Sequence, residues 1–179
     1  MLKGERVALR AVERDDLQKL HELEAQNVDI EVIAGGVWFP KPLTAWEKDH
    51  ERWTGSDNVM WFIIEVDSQV IGSADLHNIS RHDSTAELGI GIYPPEYLGK
   101  GYGQEAIRLL CDYAFRIQNF HRLWLETFST NERALKSYLA CGFVEEGRLR
   151  QHAWVDGQYV DMVVMGLLRS EWQQRKVQS

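Results

Sequence analysis

Cysteine and proline are scarce in this chain: 179 residues hold only two of the former and four of the latter. Cys111 and Cys141 can form at most one bridge, and a chain this long buries a sizeable core without one, so reduced thiols and a cytoplasmic setting are expected. Long apolar runs are missing as well. The longest, Met162 to Leu168, falls far short of the ~20 residues that cross a bilayer. The opening carries Lys3, Glu5 and Arg6 and never develops the apolar stretch of a secretory signal, so neither export nor membrane attachment is expected. Basic charge is the scarcer sign: 20 Lys and Arg stand against 27 Asp and Glu, a formal net charge of −7. That balance opposes a non-specific grip on nucleic acid and favours a small cationic partner.

What is present is ordinary globular composition, 44% apolar and 26% charged, with no internal repeat and no linker. One domain over residues 1–179 is expected, with a core at about 5–168 and a short helical C-terminal tail. Val7, Leu9 and Ala11 alternate as a strand, and Leu17, Leu20 and Leu23 follow at helical spacing behind acidic residues. Thr44 offers an N-cap to a helix over Ala45–Trp53, whose Trp46, His50 and Trp53 share a face. Trp61–Val66 and Val70–Leu76 read as a hairpin joined by Asp67-Ser68-Gln69, with Thr85–Tyr93 completing a meander. Gln104–Ile117 repeats as a long amphipathic helix through Ala106, Leu109, Leu110, Tyr113, Ala114 and Ile117. Arg122–Thr127 reads as a strand, Asn131–Cys141 as a helix stopped by Gly142, and the tail as two strands about an Asp156-Gly157 turn.

Leu98-Gly99-Lys100-Gly101-Tyr102-Gly103 lies between a strand and a helix, where unblocked backbone N–H groups and the positive helix end converge on any anion. A plain tight turn would show the same glycines. A Rossmann turn fits Gly101 to Ala106 superficially, with Glu126 about 20 residues on, but Pro94 to Leu98 intervenes and the preceding strands are antiparallel in pattern. In the strand before the loop, Ala86, Leu88, Ile90 and Ile92 share one face and Thr85, Glu87, Gly89 and Gly91 the other. Glycines there mark a bulge or the close approach of another backbone, so an extended ligand can lie along the strand with Glu87 above it. A solvated strand carboxylate would read identically.

Taken together, RVALRAVERDDL, AELGIGIYPPEYLGKGYGQEA and NERALKSYLACGFVEEGRLR resemble the GCN5-related N-acetyltransferase (GNAT) superfamily, in the branch of ribosomal-protein N-terminal and spermidine acetyltransferases. The resemblance covers nearly the whole chain. It implies an α+β fold with a mixed, strongly twisted, mostly antiparallel sheet, flanked by helices and splayed at the central strands around acetyl-CoA. It implies that the pantetheine arm pairs with Ile90, Gly91 and Ile92, and that the diphosphate sits on the segment Leu98, Gly99, Lys100, Gly101, Tyr102, Gly103 and Gln104. Asn131 is implied as a contact of the pantetheine or acetyl end, and Lys136 as one nearer the nucleotide. Leu98 stands where the family usually has Gln or Arg.

Acetyl transfer to an amine needs a neutral amine, a polarised carbonyl and a proton for the leaving thiolate. Glu87 is the candidate base through water, the Ile90 N–H the candidate oxyanion donor, and Tyr138, which matches the family's tyrosine, the candidate acid. A core tyrosine at helical spacing would look the same as Tyr138. Cys141 is discounted as a covalent carrier, because no neighbour in sequence lowers its pKa. His21 to Glu24 lacks the second histidine of a zinc helix, and His77 and His82 flank an expected turn with no cysteine, so no metal is expected. Trp38, Phe39, Trp46 and Trp53, with nearby acids, either box a cationic acceptor or pack the second helix on the sheet. Three functions are open on these residues: acetylation of a small polyamine-like amine, acetylation of a ribosomal or other protein N-terminus, and acyl-CoA binding without turnover. Edge strands near Asp156-Gly157 point to a homodimer or larger homo-oligomer.

Overall fold

The computed structural model describes residues 1–29 and 40–178. The chain runs β1 (Leu2–Lys3), β2 (Val7–Ala11), α1 (Asp16–Gln26), α2 (Leu43–Trp53), β3 (Met60–Val66), β4 (Gln69–Ser80) and β5 (Thr85–Ile92). A short 3₁₀ turn (Pro95–Tyr97) leads to α3 (Tyr102–Asp112), then β6 (Arg122–Phe128), α4 (Glu132–Cys141), β7 (Val144–Val155), β8 (Gln158–Leu168) and α5 (Arg169–Gln178). The eight strands form one sheet in the order β1-β2-β3-β4-β5-β6-β8-β7. Every pairing is antiparallel except β5 with β6. This is the expected mixed, mostly antiparallel α+β architecture. No helix among the described residues is long and apolar enough to cross a membrane.

The β3–β4 and β7–β8 hairpins each turn on two residues with positive φ, Asp67-Ser68 (50° and 63°) and Asp156-Gly157 (44° and 80°), the handedness that matches strand twist. Gln69, expected in the first turn, already belongs to β4. That strand also runs past Leu76 to Ser80, so His77 is a strand residue and not the start of a turn. Thr44 does not cap α2. The helix begins one residue before it, with Pro42 in extended conformation at the cap position and no side-chain bond there.

One face of the sheet packs α3 and α4: Leu9, Ile64, Leu76, Leu88, Leu123 and Leu125 meet Ala106, Ile107, Leu110 and Tyr138 in the main core. Burying such side chains is worth roughly 1.5–3 kcal/mol each and fixes α3 across the central strands. The α3 periodicity fails only at its end. Residues Tyr113–Ile117 widen into a π turn, with the Gln118 N–H donating to Tyr113 O at 3.0 Å. The added residue per turn rotates the side chains at the helix end, so Ile117, expected on the apolar face, is 52% exposed and Phe115 is buried against Trp172 of α5 instead. The opposite face of β3 and β4 is covered by α1 and α2, through Leu20, Leu23 and Trp46 on Ile63, Trp61 and Tyr93. Beyond that cover, the same face around Asp75, His77 and Glu87 is open.

Candidate active site

Strands β5 and β6 pair in parallel over three rungs only, Thr85, Ala86 and Glu87 opposite Arg122, Leu123 and Trp124. From Leu88 to Ile92 the β6 side of β5 has no partner strand among the described residues, while its β4 side stays paired from Glu87 to Ile92. The Tyr93 N–H donates to Ile71 O of β4 at 3.1 Å. Alternation along the extended strand therefore turns the N–H groups of Gly89 and Gly91 toward β4 and those of Ile90 and Ile92 into the gap. A parted sheet with two free donors along one edge is a built receptor for an extended amide-bearing chain.

A cavity of about 600 Å³ fills this gap on the α3 side. Of the residues expected to hold the coenzyme, Ile90, Gly91, Ile92, Leu98, Gly99, Gly101, Tyr102, Gly103, Gln104, Asn131 and Lys136 line it, and so does Tyr138. Gly99 and Gly101 have φ of 69° and 86°, left-handed values that let the loop turn its amides inward. The first intrahelical bond of α3 is Glu105 N–H to Gly101 O, so the amides of Tyr102, Gly103 and Gln104 are left for an anion at the helix N-terminus. Arg6, just before β2, braces the loop: it donates to Lys100 O at 3.0 Å, and its guanidinium lies 4.9 Å from the centre of the Tyr102 ring. Lys100 itself is exposed and does not line the cavity.

Before α4, the Asn131 side chain accepts the Ala134 N–H at 3.1 Å and caps the helix at the cavity wall. Lys136 is exposed beside Glu132, at 3.3 Å. Arg133 and Ser137 also line the cavity and were missed from sequence. Their signal was the i, i+4 spacing that puts them on one helical face. Tyr138 is almost fully buried, and desolvation pushes its phenol up to about 12, so it stays protonated at neutral pH. No hydrogen bond holds its hydroxyl among the described residues. Burial likewise raises both free thiols, Cys141 to about 11, so neither is a thiolate.

On the other sheet face a second cavity, of about 620 Å³, is lined by Trp53, Asn58, Val59, Asp75, His77, Asn78 and Ile79. Asp75 and His77 were not anticipated as site residues. They are two apart on β4 and so share a face, but only the pairing of His77 with Glu87 and of Asp75 with Gly89 shows what they meet. The His77 ring lies between two carboxylates, Nδ1 at 2.5 Å from Asp75 and Nε2 at 3.3 Å from Glu87. Asn78 Nδ2 donates to Glu87 at 2.6 Å. Burial pushes the Glu87 carboxyl up, but the bonds from His77 and Asn78 outweigh it and hold it below the usual range. Glu87 is thus a paired, ionised group and not a solvated strand carboxylate. Nor is the strand bare at Gly89: a Cβ there would lie 2.6 Å from Asp75 Oδ1, so the carboxylate fills the space that glycine leaves.

The tryptophans divide. Trp38, with Phe39, lies outside the described residues. Trp46 stacks on Trp61 with ring centres 6.1 Å apart, packs α2 on the sheet and lines neither cavity. Trp53 sets its edge on Trp61 at 5.0 Å and also lines the second cavity. Among the described residues no group of three or more His, Cys, Asp or Glu is placed to hold a metal ion.

A family model described as an acetyltransferase (GNAT) domain matches residues 6–144. The spermidine N(1)-acetyltransferase of Vibrio cholerae serotype O1 is 33% identical over 173 residues, 94% of this chain and 96% of that protein. The crystal structure of spermidine N-acetyltransferase from Vibrio cholerae in complex with CoA and spermine superimposes with a TM-score of 0.86 at 31% identity, over 95% of this chain and 99% of that one. A dodecameric structure of that enzyme in an intermediate state gives a TM-score of 0.82 at 31% identity, over 96% and 99% of the two chains.

Proposed function

The chain belongs to the GNAT family of acetyl-CoA-dependent N-acetyltransferases, and on that premise we propose that it acts as a single catalytic domain that acetylates a primary amine of a small, polyamine-like cation by direct attack in a ternary complex. One observation carries the reading: a cavity lined by free amides and a protonated tyrosine fills the gap where β5 leaves β6, and on the other sheet face a second cavity, holding an acid and an aromatic ring, is lined by the β4 residues Asp75 and His77 that pair with Gly89 and Glu87 at the start of that gap. The similar Vibrio cholerae enzyme, crystallised in complex with CoA and spermine, supports a coenzyme and a polyamine as the two ligands.

The thioester supplies an activated acetyl group. In this proposal its pantetheine arm pairs with the free edge of Ile90 to Ile92, and its diphosphate rests on the amides from Gly99 to Gln104, with Leu98 and Asn131 alongside. Leu98 contributes packing where a polar side chain would add a donor, which leaves the backbone to bind the phosphates. Lys136 and Arg133 face the nucleotide end. The acceptor lies over Asp75 and Trp53, a carboxylate and a π face that both attract ammonium. Its proton leaves through water to Glu87, which is ionised at neutral pH and therefore in its accepting form. The Ile90 N–H donates to the carbonyl oxygen as negative charge develops there. As the C–N bond forms and the C–S bond breaks, the Tyr138 hydroxyl gives its proton to the sulfur.

The edge strand β7 exposes Val144, Leu149 and Trp154, and the start of β8 exposes Tyr159, which supports a homo-oligomeric state of the kind the Vibrio cholerae enzyme adopts. The buried free thiols fit a cytoplasmic setting. The test of function is CoA release from acetyl-CoA with a panel of polyamines, monoamines and peptides. Turnover with polyamines that Asp75→Asn weakens about tenfold in acceptor KM supports the reading. Turnover confined to peptides assigns the alternative of a protein N-terminus, and coenzyme binding without turnover assigns a binding module.

A further inference from the structure

His77 is locked in a way that removes it from ordinary hydrogen bonding with a ligand. Its rung lies opposite Glu87, and just beyond it β4 bulges, with Asn78 at φ 46°, so that two successive side chains of β4 reach the same carboxylate. One ring nitrogen is engaged by Asp75 and the other by Glu87. Nδ1 is within hydrogen-bond distance of Asp75 and Nε2 within ion-pair distance of Glu87, both groups that only accept when ionised, and a ring set between two carboxylates is favoured as the imidazolium. What it presents to the second cavity is its charge.

Resting on the reading of that cavity as the acceptor's, we infer that His77 is a charge-setting residue that favours the neutral, attacking form of the acceptor amine. Asp75 and Glu87 alone would place two negative charges beside the incoming ammonium and hold it protonated. With His77 between them the cluster carries a net single negative charge, enough to attract a cation and less able to keep its proton. The bonds to Asp75 and then Glu87 push the imidazole up to about 10, so the positive charge persists through neutral pH. Asp75 on its own strand and Glu87 on β5 are the titratable groups that face it. Trp53 of α2 and Asn58 before β3 contribute none, and the phenol of Tyr138 on α4, which senses Asp75, is neutral.

The test varies spermidine at saturating acetyl-CoA from pH 6 to 10, with full-length wild type, His77→Gln, His77→Lys and Asp75→Asn. In His77→Gln the acceptor KM is expected to fall about threefold while the acidic limb of kcat moves up by about one pH unit, and His77→Lys is expected to restore both. A residue that only pinned β4 to β5 would lower thermal stability in both His77 variants and leave limb and KM in place, which overturns the inference. If Asp75→Asn alone alters acceptor kinetics, the cavity assignment stands and the role of His77 falls. If neither variant alters them, the assignment falls too. Should His77→Gln fail to fold, ¹⁵N shifts of the wild-type imidazole decide: two protonated nitrogens from pH 6 to 9 support the inference, and a neutral ring overturns it.

Discussion

Glu87 and Trp124 form the last rung that β5 and β6 share, and past them β5 continues to Ile92 with one edge unpaired. The geometry of the site comes from that parting. It opens a slot on the α3 side, turns the Ile90 N–H into it, and leaves the Glu87 carboxylate on the opposite face, beside the second cavity.

Tyr138→Phe removes the proposed acid and little else, because the phenol has no hydrogen-bond partner to lose among the described residues and its ring packs 6.0 Å from Phe143. Steady-state kinetics should show kcat lowered at least tenfold, with coenzyme affinity by calorimetry within about twofold of wild type. An undiminished kcat would remove the assignment.

Gly101→Ala tests the anion loop. The position has φ of 86° and a Cβ would lie 3.1 Å from Arg6 Nη2, so the substitution strains the turn and presses on its brace. A loss of roughly 1–2 kcal/mol in stability is expected, with at least fivefold weaker coenzyme binding. Equal loss at Gly157→Ala, in a hairpin far along the chain, would show that binding only follows general stability.

Asp16→Asn should be the costliest of these changes for folding. Asp16 accepts two N–H bonds from Arg10, at 2.6 and 2.7 Å, and the Glu13 N–H at 2.8 Å, all at the start of α1. Bonds to a charged group are worth about 1.5–3 kcal/mol, so denaturant melts should show a loss on the order of 2 kcal/mol. Burial pushes the Asp16 carboxyl up, but the Arg10 bonds outweigh it and hold it low. Its contribution is therefore present at neutral pH and lost as pH falls through that depressed pKa.

His77 predicts the opposite slope. Its folded pKa is raised from about 6.5 to about 10, so its contribution to stability is complete below the lower value and is lost as pH rises toward the upper one. The difference in Tm between wild type and His77→Gln should shrink steadily from pH 7 to pH 10. A constant difference would mean that the ring is neutral.

Local periodicity and turn chemistry made much of this legible. The alternation of Ala86, Leu88, Ile90 and Ile92 placed β5, the glycines from 99 to 103 placed the anion loop, and Asp156-Gly157 placed the last hairpin. What escaped depends on contacts distant in sequence. His77 is unremarkable until β4 pairs with β5 and brings it to Glu87, and Gly89 reads as a bare position until the Asp75 carboxylate lies over it. The π turn at Tyr113–Ile117 escaped because a helical pattern carries no mark of one extra residue per turn. Trp46 and Trp53 share a helix face by spacing, yet Trp46 lines neither cavity and Trp53 lines the second, a difference set by how α2 sits on Trp61.

Amide exchange at Ile90 and Ile92, followed by NMR with and without acetyl-CoA, tests the central claim most directly. Both amides point into the parted edge, so the account predicts that the coenzyme slows their exchange at least tenfold, together with that of Tyr102 to Gln104. Saturating coenzyme that leaves Ile90 and Ile92 exchanging at their free rates would contradict it.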